Sequence, residues 1–126
     1  MGCPDYRELY TTVIKRLNEQ QLGFLHVMDG LAFGFHELGE PMTLDDIRPL
    51  FKQTIIGNCG YTYESASEAV ANDQADLIAF GRPYISNPDL PDRYKNGWQV
   101  TPFDDASQWY GGGKEGYSDY PAFNAK

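Results

Sequence analysis

Cysteine is scarce in this 126-residue sequence, basic residues are outnumbered, and long apolar runs are missing. Two cysteines, Cys3 and Cys59, do not make a disulfide framework, and a reducing cytoplasm is the expected compartment. Ten Lys and Arg stand against eighteen Asp and Glu, a net charge of −8. The chain therefore lacks the basic footprint that neutralises nucleic-acid phosphates, and it lacks a polybasic membrane contact. Its field repels anions at long range, so any phosphate site must be built from local donors. Mean hydropathy is −0.51, and no run nears the roughly 20 apolar residues of a membrane span. No basic n-region, apolar h-region and cleavage site open the chain, so secretion is not expected. No His, Cys, Asp or Glu spacing suggests a metal site, and no Ser/His/Asp order suggests a hydrolase.

What is present reads as α/β. The length fits one domain with a real core. Three short apolar runs have strand character: Phe24 to Met28, Thr54 to Gly57 and Asp76 to Phe80. Tyr6, Leu9, Tyr10, Val13, Ile14 and Leu17 form one helical stripe ahead of the first run. Asp5 and Glu8 have capping-box spacing at its start. A second helix begins at Thr43, carries Ile47, Leu50 and Phe51 on one face, and is shortened or kinked by Pro49. A third begins at Thr62 with Ala66, Ala69 and Val70 inward. Asn87 and Pro88 read as N-cap and first position of a fourth, and Gly97 as its C-terminal stop. Strands separated by helices imply parallel pairing through right-handed crossovers. Nearly continuous apolar strands imply a sheet covered on both faces.

From Gly97 to Lys126 there are seven aromatics and five glycines without a period. That segment is too aromatic for a disordered tail and is expected to pack irregularly. No linker or domain boundary stands out. Three parallel strands cannot close a barrel and leave two open edges. The chain therefore reads as part of a larger α/β architecture.

Two turns carry the candidate chemistry. In Ile55-Ile56-Gly57-Asn58-Cys59-Gly60-Tyr61-Thr62 a strand ends in a glycine-bearing turn that leads into a helix. Glycines admit a ligand close to the backbone, and the helix start favours an anion; the alternative is a plain tight turn. Ile78-Ala79-Phe80-Gly81-Arg82-Pro83 repeats the logic one βα unit later, with Arg82 offering a charged fork. Its alternative is a surface arginine paired with Asp76 or Asp89. Parallel neighbours open their loops on the same sheet edge, where (β/α)8 barrels commonly bind phosphate. A phosphate-bearing ligand is thus expected between Gly57-Asn58 and Gly81-Arg82. His26 reads as a core or barrel-lining residue. His36, in the loop from Asp29 to Met42, faces substrate or solvent. Asp45-Asp46 complement a helix start, and Asp104-Asp105 read as a solvated turn. Cys59 is a small buried filler or a reactive thiol. Trp109-Tyr110 cover the side of a helix or fold over the ligand edge.

Several of these stretches resemble one family. The run Phe24-Leu25-His26-Val27, the turn Gly57-Asn58, the stretch Leu77 to Leu90 with Gly81-Arg82-Pro83 and Ser86-Asn87-Pro88-Asp89, and Trp109-Tyr110 followed by Gly116 to Pro121 are similar to the Old Yellow Enzyme family. The resemblance implies an FMN-dependent, NAD(P)H-using ene-reductase that reduces alkenes conjugated to a carbonyl or nitro group. The implied fold is a partial (β/α)8 TIM barrel. Residues 1–126 would be the C-terminal portion of a single barrel domain: its last three βα units and the aromatic segment. By position, the FMN phosphate site falls on Gly57, Asn58, Gly81 and Arg82, and Tyr110 matches an aromatic near the substrate pocket. The family's carbonyl-binding His/Asn or His/His pair, proton-donating Tyr and flavin-tuning residues belong to upstream strands, so no catalytic residue is assigned here. The resemblance leaves three readings open: an FMN-binding oxidoreductase or its phosphate-binding portion, an inactive fragment needing a complementary N-terminal chain, or another phosphate-binding barrel enzyme. Self-association is the expected alternative to such a partner chain.

Overall fold

A computed structural model describes residues 4–30, 40–102, 109–110, 113–116 and 119–123. Cys3, His36, Asp104-Asp105, Gly111-Gly112 and Tyr117-Ser118 lie outside the described residues. The chain divides into two compact units, residues 1–79 and 80–126, although the sequence shows no boundary there.

The first unit is α1 (Tyr6–Glu19), β1 (Phe24–Met28), α2 (Leu44–Ile47) running into a 3-10 turn (Arg48–Leu50), β2 (Thr54–Asn58), α3 (Tyr63–Ala71) and β3 (Leu77–Ala79). The three strands form one parallel sheet in the order β1-β2-β3. Strand residues alternate between faces. Leu25, Val27, Ile55, Gly57 and Ile78 share the face that meets the helices. Ile14, Leu44, Ile47, Phe51, Ile55, Ala69 and Ala75 are buried together there. Phe51 and Ile55 are fully buried, a contribution of about 1.5–3 kcal/mol per large apolar side chain. The other face is open among the described residues: Phe24 is 58% exposed, Met28 71% and Leu77 55%. The sheet is therefore covered on one face, where the continuous apolar runs predict two.

Helix starts follow the backbone. Thr43 and Thr62 are extended, at φ −87°, ψ 171° and φ −86°, ψ 171°, and each makes a capping box with the residue three further on. Asp5 also precedes a helix, but at φ −102°, ψ 21° its side chain makes no cap hydrogen bond. That backbone lies outside the extended region an N-cap needs, which is why the expected Asp5–Glu8 box does not form. Pro49 falls inside the 3-10 turn and shortens α2, as its missing N–H requires. Ala66 and Ala69 are buried, whereas Val70 is exposed, because the nine-residue α3 turns only a narrow stripe inward. Asp76 joins the strand starts. Its carboxylate accepts from Ile55 N–H at 2.8 Å and from Arg48 at 2.8 Å, and its own N–H donates to Ile55 O at 3.0 Å.

The second unit contains α4 (Arg82–Ser86) and α5 (Leu90–Asn96). Asn87 ends α4 and does not cap a later helix; Asp89 takes the N-cap position of α5. The fully buried Asn87 side chain donates to Pro83 O at 2.8 Å and Thr101 O at 3.0 Å, and accepts from Thr101 N–H at 2.8 Å. Tying down residue 101 occupies the amide that would otherwise cap. Gly97 stops α5 at φ +63°, with Trp98 N–H bonded to Arg93 O, the Schellman arrangement glycine permits. Arg93, 4% exposed, is the hub. It bonds Asp89 at 2.7 Å, Gln99 O at 2.9 Å, Thr101 Oγ1 at 3.1 Å and Pro121 O at 3.0 Å. Phe123 stacks on Trp98 with centroids 4.7 Å apart.

Candidate functional site

Parallel pairing aligns the strand ends. Asn58, the last residue of β2, is in register with Met28 of β1 and with Ala79, the last residue of β3. The turns after β2 and β3 thus start side by side at one sheet edge, as the alternation of strands and helices implies.

The turn after β2 has an unusual backbone. Cys59 stands at φ +113° and Gly60 at φ +81°. A non-glycine residue there carries strain of about 1–3 kcal/mol and persists only when its surroundings hold it. The holding contacts come from the residues after β1. Asp29 N–H donates to Asn58 O at 3.2 Å, and the Cys59 thiol donates to Gly30 O at 3.5 Å. A Cβ at Gly30 would lie 2.6 Å from the Cys59 carbonyl oxygen, so glycine is required for this approach. The Tyr61 hydroxyl donates to the Asp29 carboxylate. Burial raises the Asp29 pKa, while the Tyr61 hydrogen bond acts against that rise. Burial and the neighbouring carboxylate push the Tyr61 phenol upward. Among the described residues Asp29 Oδ1 is buried without a partner. The pair borders a cavity of about 470 Å3, along with Thr43, Asp45, Ser65 and Glu68. No motif in the sequence singles out this pair. The available signal was an acidic residue directly after one strand and a phenol beside the glycine turn after the next.

The two glycines singled out from the sequence differ. A Cβ at Gly57 would meet Ile78 Cδ1 at 2.9 Å, Leu44 Cδ1 at 3.3 Å and the Tyr61 hydroxyl at 3.4 Å. Gly57 is thus small because the core side of the sheet is full. Asn58 faces the opposite, open side. At Gly81 nothing lies within 4 Å of the added carbon, and φ is −99°. Among the described residues neither packing nor strain requires glycine at that position. Gly60 and Gly81 are exposed, and among the described residues their backbone N–H groups have no partner, so both can donate to an anion.

Arg82 opens α4, with Pro83 in the first turn. The two acids considered as partners are engaged elsewhere, Asp76 with Arg48 and Asp89 with Arg93. The Arg82 guanidinium lies 5.7 Å from the Trp109 ring centroid, a cation–π distance. The aromatic segment therefore reaches the Gly81-Arg82 turn through Trp109. Tyr110 is 87% exposed. His26 lies exposed on the sheet face opposite the helices, outside the helix-side core and on the face that lines a barrel. Cys59 is partly buried. Among the described residues no group of three or more His, Cys, Asp or Glu could hold a metal, and no helix is long and apolar enough to cross a membrane.

The sequence model of the NADH:flavin oxidoreductase / NADH oxidase family matches residues 11–100. The chain belongs to this family. The Old Yellow Enzyme resemblance read from the sequence agrees with this family membership. The chain is 30% identical to 12-oxophytodienoate reductase 2 of Arabidopsis thaliana, over 97% of its own length and 32% of that protein's. The Old Yellow Enzyme of Trypanosoma cruzi superposes with a TM-score of 0.85 at 26% identity, over 96% of this chain and 31% of that one. Morphinone reductase in complex with tetrahydroNAD gives 0.81 at 30% identity, over 98% and 32%. The chain thus spans about a third of the length of these Old Yellow Enzyme relatives.

Proposed function

We propose that residues 1–126 are the last three βα units and C-terminal segment of a single (β/α)8 barrel domain, and that they carry the phosphate site of its FMN. The observation that carries this reading is the Asn58–Ala79 register. The residues proposed to hold the phosphate are Gly57 and Asn58, which close β2, and Gly81 and Arg82, which follow β3. The residues fit a phosphate monoester. Gly60 and Gly81 have N–H groups to give, Gly81 has open space where a Cβ would stand, and Arg82 supplies a bidentate fork. Tyr110, exposed one residue beyond the Arg82-bound Trp109, is assigned to the substrate side.

The activity proposed for the whole protein is NAD(P)H-dependent reduction of alkenes conjugated to a carbonyl or nitro group, in the cytoplasm. Bound FMN supplies the hydride chemistry, and the protein supplies position and electrostatics. This chain's part is to anchor the phosphate end and so fix the register of the cofactor. A second reading is favoured by the open sheet face of Phe24, Met28 and Leu77. In it the chain works only when a complementary chain bearing the other strands covers that face, and self-associates otherwise. Titration of the purified chain with FMN and with riboflavin, alone and with a co-expressed N-terminal part of a family barrel, tests both. A preference for FMN supports the phosphate site. Flavin binding and reduction of 2-cyclohexenone by NADPH only on co-expression support the complementary chain. Equal binding of both flavins would remove the phosphate assignment.

A further inference from the structure

We propose that Asp29 and Tyr61 are positioning residues that latch the turn after β2 in the shape the FMN phosphate requires, an inference that rests on the phosphate assignment above. The turn cannot hold its shape by local preference, because Cys59 is a non-glycine residue at φ +113°. Three contacts from the residues after β1 oppose its relaxation. Asp29 N–H grips Asn58 O, Gly30 O takes the Cys59 thiol proton, and the Asp29 carboxylate takes the Tyr61 hydroxyl proton. Only the last reaches across the whole turn, from its far side at Tyr61 back to the strand edge. It is also a charge-assisted bond in a partly buried place, the strong kind. Tyr61 directly precedes Thr62, the N-cap of α3. The latch therefore fixes where the turn hands over to the helix as well as where it leaves β2. Glycine at position 30 completes the arrangement, since a side chain there would push the Cys59 carbonyl away.

The test uses the full chain with Cys3→Ser, so that Cys59 is its single thiol. Two readouts are taken: the alkylation rate of Cys59 by iodoacetamide without ligand, and the ratio of FMN to riboflavin dissociation constants. Tyr61→Phe removes the latch proton and is expected to speed alkylation and to cut the FMN preference, each by about tenfold, the scale of one charged hydrogen bond. Asp29→Asn keeps an acceptor for the phenol but loses its charge, and is expected to fall between the parent and Tyr61→Phe on both readouts. Circular dichroism and the denaturant midpoint show that each variant is folded. A folded Tyr61→Phe chain with unchanged alkylation and unchanged flavin preference overturns the proposal. So does an Asp29→Asn chain as loose as Tyr61→Phe, because the acceptor would then not be what matters. If the parent chain binds riboflavin as tightly as FMN, the phosphate assignment fails, and the alkylation arm still decides whether the latch holds the turn.

Discussion

Replacing Gly81 by alanine separates a glycine kept for a ligand from one kept for packing. Nothing within 4 Å meets the new methyl group, and φ −99° suits any L residue. On the fold side two small effects oppose each other. A less flexible unfolded chain stabilises by about 0.4–1 kcal/mol. Alanine for glycine at the N-cap of α4 costs about as much, since alanine is a poor cap. Thermal stability should therefore be unchanged to within about 0.5 kcal/mol, a shift of only a few degrees for a domain of this size. On the ligand side, a methyl group between the backbone and a phosphate oxygen displaces at least one charged hydrogen bond. That loss is about 1.5–3 kcal/mol, or roughly ten- to a hundredfold in Kd. Quenching of flavin fluorescence reads the affinity, and a melting curve reads the fold. Gly57→Ala gives the opposite pattern, because its methyl group runs into Ile78 and Leu44. It should lose about 1–3 kcal/mol of stability by overpacking. A Gly81→Ala chain that melts normally and binds FMN as tightly as the parent would refute the assignment of that turn to the phosphate.

Arg82→Ala should weaken FMN by about tenfold to a hundredfold and leave riboflavin untouched, and Arg82→Lys should not restore the parent affinity, because the bidentate fork is lost; equal losses for both flavins would argue against a phosphate contact. Arg93→Ala should destabilise the second unit by about 3–5 kcal/mol, because it strands the Asp89 carboxylate and the Gln99 and Pro121 carbonyls; thermal unfolding followed by the fluorescence of Trp98 and Trp109 checks it. Asp76 has its pKa lowered, first by the Ile55 N–H and then by Arg48. Its contribution is present above the ordinary carboxylate pKa of 3.8 and is lost as pH falls below it. Asp29 is raised by burial, so its contribution is greatest below 3.8 and lost as pH rises through its higher folded value. In acid titrations of stability, Asp76→Asn should flatten the low-pH fall and Asp29→Asn should raise the neutral-pH plateau. Sedimentation of the isolated chain should show self-association through the open face of Phe24, Met28 and Leu77, and Met28→Lys should reduce it.

Strands and crossovers were legible because their signals are local. An apolar run flanked by turn residues needs no tertiary information to be seen, and all three runs became parallel strands within a residue or two. The caps were legible only where backbone and side chain agree. Thr43 and Thr62 announce themselves, but Asp5 shows that cap spacing does not set ψ. Asn87 was misread for a related reason. An Asn-Pro pair signals a helix start, yet this Asn is consumed by contacts with Pro83 and with Thr101, fourteen residues away. The turn glycines were visible, but their reasons were not, since only packed neighbours tell Gly57 from Gly81. The Asp29–Tyr61 pair was invisible because its partners are 32 residues apart and neither sits in a recurring pattern.

The knot around Arg93 gives the final residues a structural task. The Pro121 carbonyl takes one of its donors, and the Phe123 N–H donates to Asp89 at 2.7 Å. A premature stop a few codons early would remove an acceptor from a buried cation and a donor from the carboxylate beside it. The damage would register as insoluble or rapidly degraded protein even though no residue of the turns after β2 and β3 had changed. For the same reason an affinity tag that displaced Pro121 or Phe123 would cost the second unit its packing.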